Sequence, residues 1–273
     1  MLPALSLAYL TSAPLTAPEA VALAARLGYG AVGLRALPAV PGGAVNALLG
    51  HPGMVRETRA RLADTGVAVF DMEIVRIGPD FRVADTAAFL DLCAELGARA
   101  VLVAGDDPDE ARLTRSYAAF CAAAQGFGLT ADLEFMPWTR VPDAATALRI
   151  ATRAGAANAG VLVDSIHAAR SATTLADIAA IPRSLLHYAQ LCDAPAQMPA
   201  SEAALIHAAR AERLLPGEGG LDLDGILGAL PADLPLSLEL PNEAEKARLG
   251  VEEWARRAME RARQLLARRQ TAA

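Results

Sequence analysis

Several apolar runs in this chain break off at a residue that can carry charge, bind a metal or move a proton. LEFMPW contains Glu134, VLVDSIH contains Asp164 and His167, and LSLELP contains Glu239. LLHYAQLCD contains Gln190 and Asp193, VFDMEIVR contains Glu73, and VGLRAL contains Arg35. A carboxylate at the end of a buried run costs several kcal/mol unless it is paired or bound to a metal. Glu134, Asp164 and Glu239 aimed at one centre repel one another unless a cation holds them. An oxygen-rich site of that kind suits Mn²⁺ or Mg²⁺ and also accepts Co²⁺ or Zn²⁺. The other arrangement open to these residues is a set of rim carboxylates paired with arginine and holding no metal, and the chain is rich in arginine.

The elements that must position these residues alternate. Strands are expected at Leu5–Tyr9, Ala31–Ala36, Val67–Val75, Ala98–Val103, Thr130–Phe135, Gly160–Val163, Leu185–Leu191 and Leu236–Leu240. Each is followed by an amphipathic stretch: Ala17–Leu27, Val55–Thr65, Val83–Leu96, Pro108–Gln125, Asp143–Ala154, Leu175–Ala180, Ser201–Arg213 and Val251–Arg268. Glycine closes several of the helices, as left-handed C-caps require. Strands alternating with helices imply a parallel sheet covered by helices. Eight such units in 273 residues match the size of an α/β (β/α)8 TIM barrel, expected as a single domain over residues 1–273. TSAPLTAPEA after the first strand lacks the GxGxxG of a dinucleotide-binding open sheet. In a barrel, chemistry sits where strands run into their following loops, which is where the polar residues above fall. The longest loop, Pro38 to Met54, is rich in Pro and Gly, and such a loop is either a lid or a tolerated insertion.

Composition excludes several function classes. The formal net charge of −6 speaks against a nucleic-acid or membrane-surface binder. Lys246 is the only lysine, so Schiff-base chemistry would rest on it alone. Cys93, Cys121 and Cys192 form no CxxC pair, and four histidines are too few for a histidine-rich multinuclear zinc site. The apolar N-terminal run lacks a basic flank, which points to a buried strand and a cytoplasmic protein with neither a membrane nor a nucleic-acid partner.

The series resembles the xylose-isomerase-like TIM barrels, the sugar phosphate isomerase/epimerase superfamily. The resemblance covers the whole chain. It is carried by Glu134 in LEFMPW, the D-x-x-H spacing of Asp164 and His167, QLCD at Gln190 to Asp193, Glu239 in SLELP, and RLLPGEGGLDL from Arg213. It implies a divalent metal held by Glu134, Asp164, Gln190 and Glu239. Gln190 stands where the family usually has histidine. Its amide oxygen suits a hard cation better than zinc, which favours Mn²⁺ or Mg²⁺. The resemblance also implies proton transfer next to a carbonyl through a metal-stabilised enediolate, with Glu134 and Glu239 as the acid and base. Its substrate would be a sugar, keto-sugar, polyol or hydroxy-keto acid, and a homo-oligomer is compatible with it. His167, Arg213, Glu73, Arg35 and Trp138 are the candidate substrate contacts. For Arg213 a helix-end salt bridge stands equal to a substrate clamp, and Arg35 with Glu73 is slightly better read as a structural pair. His187 lies three residues from Gln190 and is expected to point away from the barrel interior, into the helix-packing layer.

An isomerase or epimerase is the first expectation. A dehydratase of the 3-dehydroshikimate or inosose type shares the metal ligands and is the second. A non-catalytic ligand-binding barrel is the third. A DNA-repair enzyme of the endonuclease IV type shares the fold, but the few histidines and the negative charge weigh against it.

Overall fold

The computed structural model describes residues 4–272. Eight parallel strands close into a barrel in sequence order: β1 (Leu5–Leu7), β2 (Ala31–Arg35), β3 (Ala68–Ile77), β4 (Ala100–Gly105), β5 (Thr130–Glu134), β6 (Ala159–Asp164), β7 (Ala189–Leu191) and β8 (Leu236–Leu238). β1 pairs with both β2 and β8, which leaves the sheet without an edge. The expected (β/α)8 TIM barrel is therefore present.

The packing separates into two layers. Ala131, Leu133 and Phe135 join the large cluster that also holds the helix residues, whereas Met136 belongs to a smaller cluster with Ala31, Phe70, Ala100, Leu102, Leu162 and Tyr188. The smaller cluster contains no helix residue, so it fills the barrel. The twofold alternation of strand side chains then places Asp132, Glu134, Gly160, Asp164, Tyr188 and Gln190 inside.

The helices form where apolar periodicity and end signals agree. α1 (Ala17–Leu27) begins at a Thr16/Glu19 capping box and ends at Gly28, whose φ of 81° needs glycine. α2 (Pro52–Thr65), α3 (Ala87–Glu95), α4 (Glu110–Gln125) and α5 (Ala144–Ala154) cover the next four strands. α6 (Ser165–Arg170) and α7 (Leu175–Ala179) follow β6. α8 (Glu202–Ala211) and α9 (Leu223–Ala229) follow β7, and α10 (Glu243–Leu249) and α11 (Val251–Ala272) follow β8.

The structure differs from the sequence expectation in a few places. The chain turns helical at Tyr9–Ser12, where a strand was expected to run to Tyr9. The expected strand Leu185–Leu191 is extended only from Ala189, after a 3-10 turn at Arg183–Leu185 set up by Pro182. On α11, Glu253 pairs with Arg256 and Arg257, and Glu252 reaches across to Arg26 of α1. Among the described residues no helix is long and apolar enough to cross a membrane.

Candidate metal and substrate site

β5, β6, β7 and β8 deliver four residues to the C-terminal rim, where barrel chemistry is built. Glu134 is the last residue of β5 and Asp164 the last of β6. Asp164 lies beside Gln190 in the β6–β7 register, and Glu239 directly follows β8, its backbone amide donating to the Leu191 carbonyl. All four residues are at most 4% exposed. Neighbouring strands thus set the four residues along one rim, with Asp164 beside Gln190 and Gln190 in contact with Glu239.

Asp164 also starts a helix. Its Oδ1 accepts the Ile166 amide at 3.1 Å, so α6 begins at the site itself. His167, three residues on, lies on the same face, with Nε2 3.7 Å from Asp164 and 3.6 Å from Glu134. Ligand atoms of Glu134, Asp164 and His167 lie within 4.8 Å of one another. The His167 and Trp138 rings stand nearly perpendicular, 5.0 Å apart between centroids. Burial pulls the His167 pKa down to about 4, and the attraction of Asp164 only partly offsets this, so the imidazole is neutral at pH 7.

Arg213 resolves an alternative that the sequence left open. Its guanidinium is buried and bridges two of the carboxylates, reaching Asp164 at 2.7 Å and Glu239 at 3.0 Å. Arg213 stands just past the end of α8 and donates Nε to the Ala209 carbonyl, so the helix-end salt bridge is the arrangement found, in buried form, and the residue also lines the cavity. Its charge does not balance the site. Burial and the neighbouring carboxylates raise the pKa of Glu134 well above the usual range. Burial, with Glu73 and Asp164, raises Glu239 to about 8 despite Arg213.

These residues fit a divalent cation. Three buried carboxylates stand against one buried guanidinium, so ionising all of them leaves two negative charges for a cation to neutralise. Gln190 donates its amide nitrogen to Glu239 at 3.0 Å, and its buried Oε1 has no partner among the described residues, leaving a hard oxygen donor next to Asp164 and Glu239.

Above this cluster opens a cavity of about 210 Å³. Glu134, Glu239 and His167 form its floor, and Ile74, Leu102, Met136 and Trp138 its apolar wall. Asp164 and Gln190 do not reach the cavity and lie beneath it. Three arginines stand at the mouth: Arg35, Arg76 and Arg210. Arg35 is bound to Glu73 at 2.5 Å and lies over the Tyr9 ring, 4.6 Å from its centroid. Burial works against the Arg35 charge, but Glu73 outweighs it and the pKa rises. Glu73 itself is fully buried behind Arg35 and is not part of the cavity wall, so the structural pairing is the arrangement found. Arg76 pairs with Asp106 and donates to the Ala39 carbonyl at 2.6 Å.

Arg210 differs from these. Among the described residues it has no hydrogen-bond or ion-pair partner. Burial and the nearby charges of Arg76 and Arg35 lower its pKa, as expected of a cation set among cations. The sequence reading did not single out Arg76 or Arg210. The available signals were an arginine at the end of VFDMEIVR and a second arginine three residues before Arg213 in AARAERL.

His187 is a correction. It does not sit in the helix-packing layer but closes the opposite end of the barrel, with Nδ1 2.6 Å from the fully buried Asp132. Gly160 makes room for the pair, because a Cβ there would lie 2.1 Å from Asp132 Oδ1. The loop from Pro38 to Met54 contributes Ala39, Val40, Gly43 and Ala44 to the cavity mouth. It is tied down by Asn46, whose side chain accepts the Arg35 amide and donates to the Leu15 carbonyl.

Known proteins share this architecture. A 3-dehydroshikimate dehydratase from Pseudomonas aeruginosa is 31% identical over 220 residues, which is 74% of this chain. The match covers 34% of that relative, so the chain spans about a third of its length. The IOLI protein with a bound zinc atom superposes with a TM-score of 0.79 at 17% identity, over 97% of this chain and 98% of that one. D-allulose 3-epimerase from Methylomonas sp., in complex with D-allulose, gives 0.67 at 16% identity over 96% of each chain. At these identities the two structures establish the fold. The family model of the xylose isomerase-like TIM barrel matches residues 21–265, and the chain belongs to that family.

Proposed function

We propose that this chain is a divalent-metal-dependent dehydratase of a hydroxy-keto acid of the 3-dehydroshikimate type. The Arg210 guanidinium, unpaired among the described residues and lining the same cavity as Glu134, Glu239 and His167, carries the reading. A substrate with a carboxylate at one end and a carbonyl flanked by hydroxyls at the other matches that polarity. A neutral ketose gives Arg210 nothing to neutralise. The identity to the dehydratase supports the same choice over the epimerases, which share only the fold.

In this reading Arg210 takes the carboxylate, and Arg35 and Arg76 add positive potential at the mouth. Trp138 and Met136 form an apolar wall along the ring and exclude water. Glu134, Asp164, Gln190 and Glu239 would hold the cation, with His167 Nε2 as the adjoining nitrogen donor. When bound, the cation supplies Lewis-acid polarisation of the substrate oxygens. Arg213 keeps the carboxylates of Asp164 and Glu239 at fixed positions. Glu134 accepts the proton from the carbon next to the carbonyl. The C–H electron pair becomes part of a new C=C bond, and the hydroxyl on the adjacent carbon departs. Glu239 protonates that hydroxyl, so water leaves and the proton count closes within the site.

The test is a direct assay with Mn²⁺ supplied. The expected result is dehydration of 3-dehydroshikimate, followed by the absorbance of the conjugated product, and its loss in Glu134→Gln. Epimerisation of neutral ketoses with no turnover of the acid would contradict the proposal and restore the isomerase reading.

A further inference from the structure

Asp193 lies three residues past Gln190, beyond the end of β7, and is 1% exposed. Its carboxylate accepts four backbone amides. Oδ1 takes Ala194 at 2.8 Å and Leu221 at 3.1 Å, and Oδ2 takes Gly217 at 2.9 Å and Gly219 at 3.0 Å. One side chain thereby organises the whole turn that follows Arg213. Two of the glycines are needed for this. Gly217 has a φ of 82°, and a Cβ on Gly219 would lie 2.3 Å from Asp193 Oδ1. The Asp193 backbone also forms an antiparallel bridge with Leu214, by hydrogen bonds of 2.9 and 2.8 Å.

Leu214 is the neighbour of Arg213. On its other side, Arg213 donates its amide to the Pro241 carbonyl and accepts Asn242 Nδ2 at its own carbonyl. The Arg213 side chain makes the two ion pairs described above and donates Nε to the Ala209 carbonyl at 2.6 Å. The backbone that carries this guanidinium is therefore stapled to the strand that carries Gln190, and Asp193 is the staple.

The geometry points to Asp193 as the positioning residue that holds Arg213 between Asp164 and Glu239. It touches neither the cavity nor the ligands, and acts on the site only through the segment 212–221. Its effect on a metal rests on the function proposed above. Its effect on the backbone does not.

The experiment combines amide hydrogen exchange with Mn²⁺ titration of the full chain. The variants are Asp193→Asn, Arg213→Gln and the double variant, with Asp143→Asn, a helix N-cap elsewhere, as control. Asn at 193 presents an NH₂ to two of the amides it must accept from, so exchange rises within 212–221 and not in the control. Mn²⁺ binding weakens by about tenfold, in the range for groups that orient ligands. The double variant binds no more weakly than Arg213→Gln alone, because both changes remove the same constraint. Unchanged exchange in 212–221, or losses that multiply in the double variant, would overturn the assignment. If Asp193→Asn does not fold, Gly219→Ala disturbs the same turn from the loop side and is read by the same criteria. A parent protein that binds no Mn²⁺ would refute the metal reading, and the exchange result would then decide the role of Asp193 alone.

Discussion

In the proposed function Arg210 and Gln190 divide the chemistry at the residue scale, one suited to a substrate carboxylate and the other to a cation. Replacing Arg210 by Met removes a charged hydrogen bond to the carboxylate, worth about 1.5–3 kcal/mol. KM for a hydroxy-keto acid should rise by roughly ten- to a hundredfold while kcat changes little, a split that steady-state kinetics reads directly. Gln190→Ala removes a neutral donor and leaves the carboxylates in place, so it should weaken Mn²⁺ binding without abolishing it. The strand-end places of Glu134, Asp164 and Glu239 were legible in the sequence because each is a polar residue ending an apolar run, and LEFMPW, VLVDSIH and LSLELP all show it. Arg213 was legible as a candidate but its place was not. Its partners lie 49 and 26 residues away, and only barrel closure brings them together. Arg210 gave no periodic or motif signal, because an exposed arginine in a helix reads as solvated surface until the cavity beside it is known.

Elements fix these residues through close approaches that depend on glycine. Gly160 on β6 lets Asp132 and His187 meet inside the barrel. Gly160→Ala drives a methyl group into that pair and should destabilise the fold by about 1–3 kcal/mol, measured by denaturant unfolding. Strand and helix order was readable because apolar runs and amphipathic stretches alternate regularly. β7 was not, because LLHYAQL has the apolar character of a full strand while Pro182 and the turn at Arg183–Leu185 leave only its last three residues paired. The four-residue helix at Tyr9–Ser12 is too short for a periodic signal.

The whole molecule has a polar centre at each end of the barrel, one expected to couple stability to pH and the other to a divalent ion. At the closed end, burial disfavours the His187 charge, but Asp132 outweighs it and the folded pKa lies above the ordinary 6.5. A group with a raised folded pKa contributes its full stability below its unfolded pKa and loses it as pH rises through the folded value. Thermal stability should therefore decline above about pH 6.5 in the parent, and this component should vanish in Asp132→Asn. At the open end, the crowded carboxylates predict that a bound divalent ion stabilises the fold by mass action, so the melting temperature should climb with Mn²⁺ concentration.

The measurement that bears most directly on the account is calorimetric titration of Mn²⁺ into chelator-treated protein, with Asp164→Asn and Glu239→Gln run alongside. About one equivalent should bind in the parent, with binding lost or strongly weakened in both variants. No binding by a folded parent would contradict it, and would make Glu134, Asp164, Gln190 and Glu239 the arginine-paired polar lining of a ligand-binding barrel.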